Sequence, residues 1–154
     1  MVWRSKDMAP SVYVGGTFDL FHAGHVELLR RAAQHGRVWV ALNSDHYAES
    51  LKGRKPVLDY GERAAVLLAC EYVTSVLCNN GTERDLLEIV QPSTIIYAND
   101  GTYSRDSYLS LLGIDEDWLK RNSAELKFLP YTEGVSSTEI INRIIQRYCG
   151  EPRQ

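Results

Sequence analysis

Five short apolar runs, each followed by residues with another spacing, constrain this chain more than any other feature. They are Val12–Val14, Val38–Leu42, Val73–Leu77, Thr94–Ala98 and Glu125–Leu129. The second is apolar almost throughout, as expected of a strand whose sheet is covered by helices on both faces. Between the runs, Val26, Leu28, Leu29, Ala32 and Ala33 repeat at helical spacing, and Gly36 suits a C-terminal cap. Asp59 and Glu62 form a capping box ahead of Ala64, Ala65, Leu67 and Leu68, which make an inner face. Thr82 opens a helix that runs through Val90 and is ended by Pro92. Ser136 and Glu139 cap a last helix with Ile140, Ile141, Ile144, Ile145 and Tyr148 on its apolar face. Strand and helix in alternation predict an α/β protein: a doubly wound, parallel, five-stranded, Rossmann-like sheet.

Two stretches break this rhythm. Leu51 to Leu58, reading LKGRKPVL, holds two lysines, an arginine, a glycine and a proline, and is expected to be a mobile basic loop. Gly101 to Asn122 has tyrosines and charges, a helix expected over Asp115 to Arg121, and no clean strand. It reads as an insertion over one end of the sheet, where Tyr103, Tyr108 and Trp118 could shape a pocket, make a dimer contact or simply cover surface. Residues 1–10 read as a loose N-terminal extension and 11–150 as a single domain.

Charge and cysteine content exclude several classes. The formal net charge is −3, from 17 basic and 20 acidic side chains without a block of one sign, so no nucleic-acid partner is expected. No apolar run is long enough to cross a membrane, and the start MVWRSKDMAP lacks the apolar core of a signal peptide. Cys70, Cys78 and Cys149 match no zinc or disulfide spacing, which points to reduced, buried thiols in a cytoplasmic protein.

Ligands of doubly wound sheets bind beyond the carboxyl ends of the strands. Gly16 to His25, Asn43 to Asp45, Asn99 to Asp100 and Tyr131 to Thr138 all follow strands and should therefore form one pocket. The first of these carries most of the chemistry. Gly15 and Gly16 let the backbone turn sharply, yet neither GxGxxG after the first strand nor GxxxxGK[ST] is present. His22 and His25, three apart in HAGH, fall on one face of a helix start, where the positive end of the dipole favours phosphate. Gly24 keeps that start open. By residue chemistry alone the pair reads equally as an anion site or as ordinary exposed or core histidines; a zinc pair lacks the HExxH pattern and a third ligand.

GTFDLFHAGH, LKGRKP, the helix carrying Arg63 and the late GVSSTEII together resemble the cytidylyltransferase-type nucleotidyltransferases, with their HxGH and ISTTxI signatures. The resemblance runs over roughly residues 11 to 145. It is nearest to glycerol-3-phosphate cytidylyltransferases and to the adenylyltransferase domain of heptose-phosphate enzymes. It implies attack by a substrate phosphate oxygen on the α-phosphorus of a nucleoside triphosphate, release of pyrophosphate, and no covalent intermediate. His22 and His25 would stabilise the transferring and leaving phosphates. Lys52 or Lys55 would reach the phosphates or the acceptor, and Arg63 would face the phosphates. Gly15, Gly16, Thr17, Phe18, Gly24 and Asp100 would border the nucleotide, and Ser136, Ser137 and Thr138 would hold its β- and γ-phosphates. Asp19 would hold the glycine turn or, with Lys52, the acceptor side. Mg²⁺ is expected with the triphosphate, held mainly by phosphate oxygens and water rather than by a protein cage. A homodimer is also implied.

Two positions depart from the glycerol phosphate enzymes. Glu71 and Tyr131 stand where those enzymes usually have arginine, whereas heptose-type domains tolerate an acidic and an aromatic residue there. Transfer from CTP to a small phosphorylated alcohol or polyol such as glycerol 3-phosphate is the favoured expectation. ATP with a sugar phosphate, or nucleotide binding without catalysis, are the alternatives.

Overall fold

The computed structural model describes residues 9–149. Five strands, β1 (Ser11–Gly16), β2 (Arg37–Asn43), β3 (Val73–Asn79), β4 (Thr94–Asn99) and β5 (Glu125–Pro130), form one parallel sheet in the order β3-β2-β1-β4-β5. The helices are α1 (Ala23–Ala33), α2 (Asp45–Lys52), α3 (Tyr60–Leu68), α4 (Glu83–Val90), α5 (Arg105–Leu111), α6 (Glu116–Arg121) and α7 (Ser137–Ile144), which runs into a π-helical turn, Ile145–Cys149.

Period-two alternation divides the core into two layers. Val12 and Val14 of β1 with Val38, Val40 and Leu42 of β2 meet Leu29 and Ala32 of α1 and Leu67 of α3. Tyr13, Ala41 and Ile95 point the other way, against Leu86, Leu87 and Val90 of α4 and Leu109, Leu112, Trp118 and Leu119 of the segment after β4. Each fully buried leucine contributes about 1.5–3 kcal/mol relative to an exposed one, so the two layers hold the sheet from both sides. The doubly wound reading holds. The strand order reverses between β1 and β4, which both leave the sheet edge where a ligand crevice is expected.

Several local expectations need correction. Gly101 to Asn122 is not an insertion over one end. Its two short helices are the β4–β5 crossover, and their buried Leu109, Leu112, Trp118 and Leu119 complete one core layer. The basic stretch is shorter than LKGRKPVL, because α2 extends through Lys52; Ser44 caps it at Tyr47 N (3.2 Å) and Gly53, at φ +71°, ends it. On α3 the capping box forms (Asp59 Oδ1 to Glu62 N 2.9 Å, Glu62 Oε2 to Asp59 N 2.9 Å), but Ala65 and Leu68 face outward. Thr82 precedes α4 without capping it through its side chain. The last helix keeps Ile144 and Ile145 exposed, so its apolar stripe is only partly packed.

Gly36 does not cap α1; Gln34 does. Its role is steric. At φ +144° a Cβ there would lie 2.0 Å from the Pro10 carbonyl oxygen, which accepts from Arg37 N at 2.8 Å. Pro10 and Ala9, whose carbonyl accepts from Arg37 Nε, are thus tied to the start of β2 rather than loose. The rest of the expected extension, 1–8, and the end of the expected domain, 150, lie outside the described residues. The cysteines are not buried: Cys70 is half-buried and Cys78 and Cys149 are exposed. Among the described residues no helix is long and apolar enough to cross a membrane.

Candidate active site

A cavity of about 470 Å³ opens beyond the carboxyl ends of β1, β2, β3 and β4. Its floor is the turn after β1. Phe18 (φ +50°) and Leu20 (φ +49°) are both in the left-handed region, which side chains other than glycine adopt rarely and at a cost of about 1–3 kcal/mol. Gly16 makes this folding-back feasible, since a Cβ there would come within 2.9 Å of the Phe18 ring. Other bonds hold the strained turn in place. Asp19 accepts from Val57 N (2.8 Å) and Leu58 N (3.0 Å), and its own carbonyl accepts from the Ser137 hydroxyl (2.6 Å). Asp19 therefore joins the glycine turn to the basic loop and to the start of α7.

His22 is the N-cap of α1, an uncommon residue for that place. Its Nδ1 accepts from Gly24 N at 3.1 Å, and His25 Nδ1 accepts from His22 N at 3.3 Å, giving a capping box made of two imidazoles. Gly24 is required by this arrangement: a Cβ would press on the His22 ring at 3.0 Å. Because each Nδ1 is an acceptor, the neutral rings carry their proton on Nε2, which is left to serve as donor. The rings stack with centroids 3.7 Å apart, and His25 also packs on Phe18 and Phe21. Burial, then the His22 and Lys52 charges, pushes the His25 pKa down to about 3; burial lowers that of His22 too. Both are neutral hydrogen-bond donors at neutral pH.

Across from this pair stands the N-terminus of α7. Ser136 Oγ caps Glu139 N at 3.0 Å, and the Ser137 hydroxyl is engaged by Asp19. The amides of the first turn, which no helical carbonyl satisfies, and the Thr138 hydroxyl are then the groups suited to phosphate.

Three cations line the cavity from the end of α2 and the connection to α3: Lys52, Arg54 and Lys55. Lys52, although its side chain keeps solvent access, is crowded enough that burial lowers its pKa, with Asp19 acting in the opposite sense. Arg63 is not among them, and the expectation that it faces the phosphates is corrected. Its guanidinium is fully buried behind the turn, donating to the carbonyls of Thr17 (2.7 Å), Asn43 (2.9 Å) and Leu58 (3.0 Å) and to Asp45 Oδ1 (2.6 Å). With four donor contacts spent on backbone and one carboxylate, it fixes the ends of β1 and β2 rather than meeting a ligand.

A buried polar chain continues from the turn. Asn43 Nδ2 donates to Thr17 Oγ1 (3.2 Å), Asn79 Nδ2 to Asn43 Oδ1 (2.9 Å) and Glu83 Oε1 (3.0 Å), and the Tyr47 hydroxyl to the same Glu83 oxygen (2.7 Å). On the β4 side the Tyr97 hydroxyl donates to Asp100 Oδ1 at 2.7 Å. Burial first, then that bond, pushes the Tyr97 pKa up to about 12. Burial alone would raise the Asp100 pKa, but the bonds from Tyr97 and Thr102 outweigh it and leave it lowered.

The structure brings Gly15, Gly16, Thr17, Phe18, Asp19, His22, His25, Lys52, Lys55, Asp100, Ser136, Ser137 and Thr138 to one cavity; Gly24 lies beneath and Arg63 behind. Tyr103 and Tyr108 line it too, while Trp118 belongs to the core. Arg54, Asn79 and Glu83 were not singled out from the sequence. Arg54 sits between the two lysines that were, and Asn79 was hidden because β3 runs two residues past Leu77. Among the described residues no three His, Cys, Asp or Glu side chains gather as a metal cage.

Comparison with known proteins agrees with this geometry. The profile of the Cytidylyltransferase-like family matches residues 13–143. A Bifunctional protein HldE from Geobacter metallireducens is 32% identical over 143 residues, covering 91% of this chain and 28% of that protein. An Ethanolamine-phosphate cytidylyltransferase from Dictyostelium discoideum is 30% identical over 138 residues, covering 87% of this chain and 37% of that protein. The chain thus spans well under half the length of these relatives. A lipopolysaccharide core biosynthesis protein from Thermoplasma volcanium shares the fold, with a TM-score of 0.65 at 20% identity over 80% of this chain and 97% of that one. The family match over most of the chain, and the paired histidines at the start of its first helix, make this protein a member of the cytidylyltransferase-like family of nucleotidyltransferases.

Proposed function

We propose that the chain transfers a cytidylyl group from CTP to the phosphate of a small phosphorylated alcohol or polyol, of which glycerol 3-phosphate is the simplest example. An acceptor phosphate oxygen attacks the α-phosphorus, the bond from the α-phosphorus to the α,β-bridging oxygen breaks, and pyrophosphate leaves with the bonding electrons. The observation that carries this reading is the imidazole capping box: both Nδ1 atoms are occupied as acceptors, so both Nε2–H groups are held ready for phosphate oxygens. Such fixed donors stabilise the charge that builds on the leaving group without reorganising during transfer. The first-turn amides of α7 suit the β- and γ-phosphates, and Lys52, Arg54 and Lys55 suit the acceptor phosphate. Mg²⁺ enters with the triphosphate, ligated by phosphate oxygens and water, and neutralises charge there. The name of the Dictyostelium relative supports a phosphorylated alcohol as acceptor.

A second reading, ATP with a sugar phosphate, is favoured by Tyr131, which lines the cavity without adding a cation. Pyrophosphate release measured with CTP and with ATP against glycerol 3-phosphate, phosphoethanolamine and hexose and heptose phosphates separates the two. Turnover with CTP and an alcohol phosphate is the expected result. Turnover confined to ATP and sugar phosphates supports the second, and nucleotide binding without turnover on any pair overturns both.

A further inference from the structure

The buried polar chain behind the glycine turn has a direction, and backbone amides fix it. Asn79, the last residue of β3 and 1% exposed, accepts on Oδ1 from the amides of Gly81 (3.0 Å) and Thr82 (3.3 Å). A backbone amide only donates, so the side-chain nitrogen of Asn79 has to face the other way. It donates to Asn43 Oδ1 (2.9 Å) and to Glu83 Oε1 (3.0 Å), and that Glu83 oxygen also accepts from the Tyr47 hydroxyl. Asn43 ends β2 directly beside Asn79 in the strand register. With its oxygen occupied, Asn43 presents Nδ2 to Thr17 Oγ1 at 3.2 Å.

The chain ends on a hydroxyl whose proton is unused. Thr17 Oγ1 accepts from Asn43, and its own proton has no acceptor among the described residues. Thr17 is only 7% exposed, and it lines the cavity on the turn that leads to His22. An oxygen in place of Asn43 Nδ2 would draw the Thr17 proton inward. A donor there turns it away, so the acceptor it can meet is an atom that enters the cavity. Asn43, Asn79, Glu83 and Tyr47, from two strand ends and two helices, thus orient one hydroxyl.

We propose that Asn79 and Asn43 are positioning residues for nucleotidyl transfer, which together hold the Thr17 hydroxyl as a directed donor to a phosphate oxygen of the bound substrates. The inference rests on the nucleotidyl-transfer reading and adds a third neutral donor to the two imidazoles. The proton stays on Thr17 Oγ1 throughout.

The test is a double-mutant cycle on the full chain, read as the single-turnover rate of pyrophosphate release with CTP, Mg²⁺ and glycerol 3-phosphate, or with ATP and a sugar phosphate if that pair is the one turned over. Asn43→Asp keeps the shape of the side chain and the bond from Asn79, but it sets an acceptor opposite Thr17 and turns the hydroxyl inward. Thr17→Val alone should lower the rate about thirtyfold, with Thr17→Ser recovering most of it. In the Asn43→Asp background, Thr17→Val should cost less than about threefold further. An equal cost in both backgrounds, or a Thr17→Val rate near that of the wild type, would overturn the inference while leaving transfer standing. Should Asn43→Asp not fold, Asn79→Ala takes its place, because it removes the donor to Asn43 Oδ1 and frees that amide to turn. Thr17→Val should again cost less there than in the wild type, and an equal cost overturns the inference. Should no substrate pair release pyrophosphate, the transfer reading fails by itself. Calorimetric binding of CTP and of ATP then decides the role of the chain: a loss on Thr17→Val that shrinks in the Asn43→Asp background supports it, and an equal loss, no loss or no binding overturns it.

Discussion

The two sides of the cavity are built differently. The β1–α1 turn is strained and tied down on every side: Phe18 and Leu20 at positive φ, Asp19 bonded to two amides of the basic loop, Ser137 bonded to the Asp19 carbonyl, and Arg63 gripping the Thr17 carbonyl from behind. The end of α2 and the connection after it, which bring Lys52, Arg54 and Lys55, are largely exposed, and the connection is anchored to that turn by Val57 and Leu58 alone of its described amides. In the proposed transfer, the donors that would meet a developing charge are placed on backbone held by several bonds. The cations that would reach an incoming phosphate stand on an exposed segment with fewer bonds to the turn.

The contrast can be broken first at Arg63. Arg63→Met leaves the Thr17, Asn43 and Leu58 carbonyls without their donor and should lower stability by about 2–4 kcal/mol, read as a shift in the urea midpoint. A loss confined to activity would mean that Arg63 acts on the ligand after all. A smaller effect is expected on the exposed side. Lys52→Ala should raise the acceptor KM about tenfold or more, and Lys55→Ala by only a few-fold, because Lys52 stands close enough to His25 and Asp19 to be felt by both. Equal effects would show that the loop supplies diffuse charge rather than one placed lysine.

How much of this could be read from sequence depended on the range of the interaction. Ser136 was legible because a helix cap is local, its partner lying three residues away, whereas His22 and His25 were singled out by the HAGH motif and the family resemblance and their mutual capping was not read. Arg63 was misread because its partners come from Thr17, Asn43 and Asp45, far away along the chain, and a long cation near a glycine turn looks like a phosphate ligand until those carbonyls are in view. Leu109, Leu112, Trp118 and Leu119 lie on, or just after, two helices of seven and six residues, too short for helical periodicity to show, so a core layer passed for an insertion. Glu83 was hidden in an ordinary helix start whose acidic first turn reads as dipole compensation.

The smallest expected effect is on stability against pH. His25 is neutral in the fold, with its pKa at about 3, while in the unfolded chain it takes up a proton near the ordinary histidine value. Its contribution is therefore complete above about pH 6.5 and is lost as the pH falls toward 3, with His22 acting in the same direction. Between pH 7 and pH 5 the wild type should lose about 1–2 kcal/mol of unfolding free energy, and His25→Gln should lose less over the same interval. An identical slope in both proteins would show that His25 is not held neutral by its surroundings.

The central claim is that two neutral imidazoles, fixed by their own capping box, carry the transfer. Its most direct measurement is the single-turnover rate of pyrophosphate release from CTP at saturating acceptor, in the wild type and in His22→Ala and His25→Ala, with the folded state of each checked by thermal melting. A fall of about a hundredfold or more in each variant, with melting still cooperative, is the predicted result. Near-normal rates in both folded variants would contradict it.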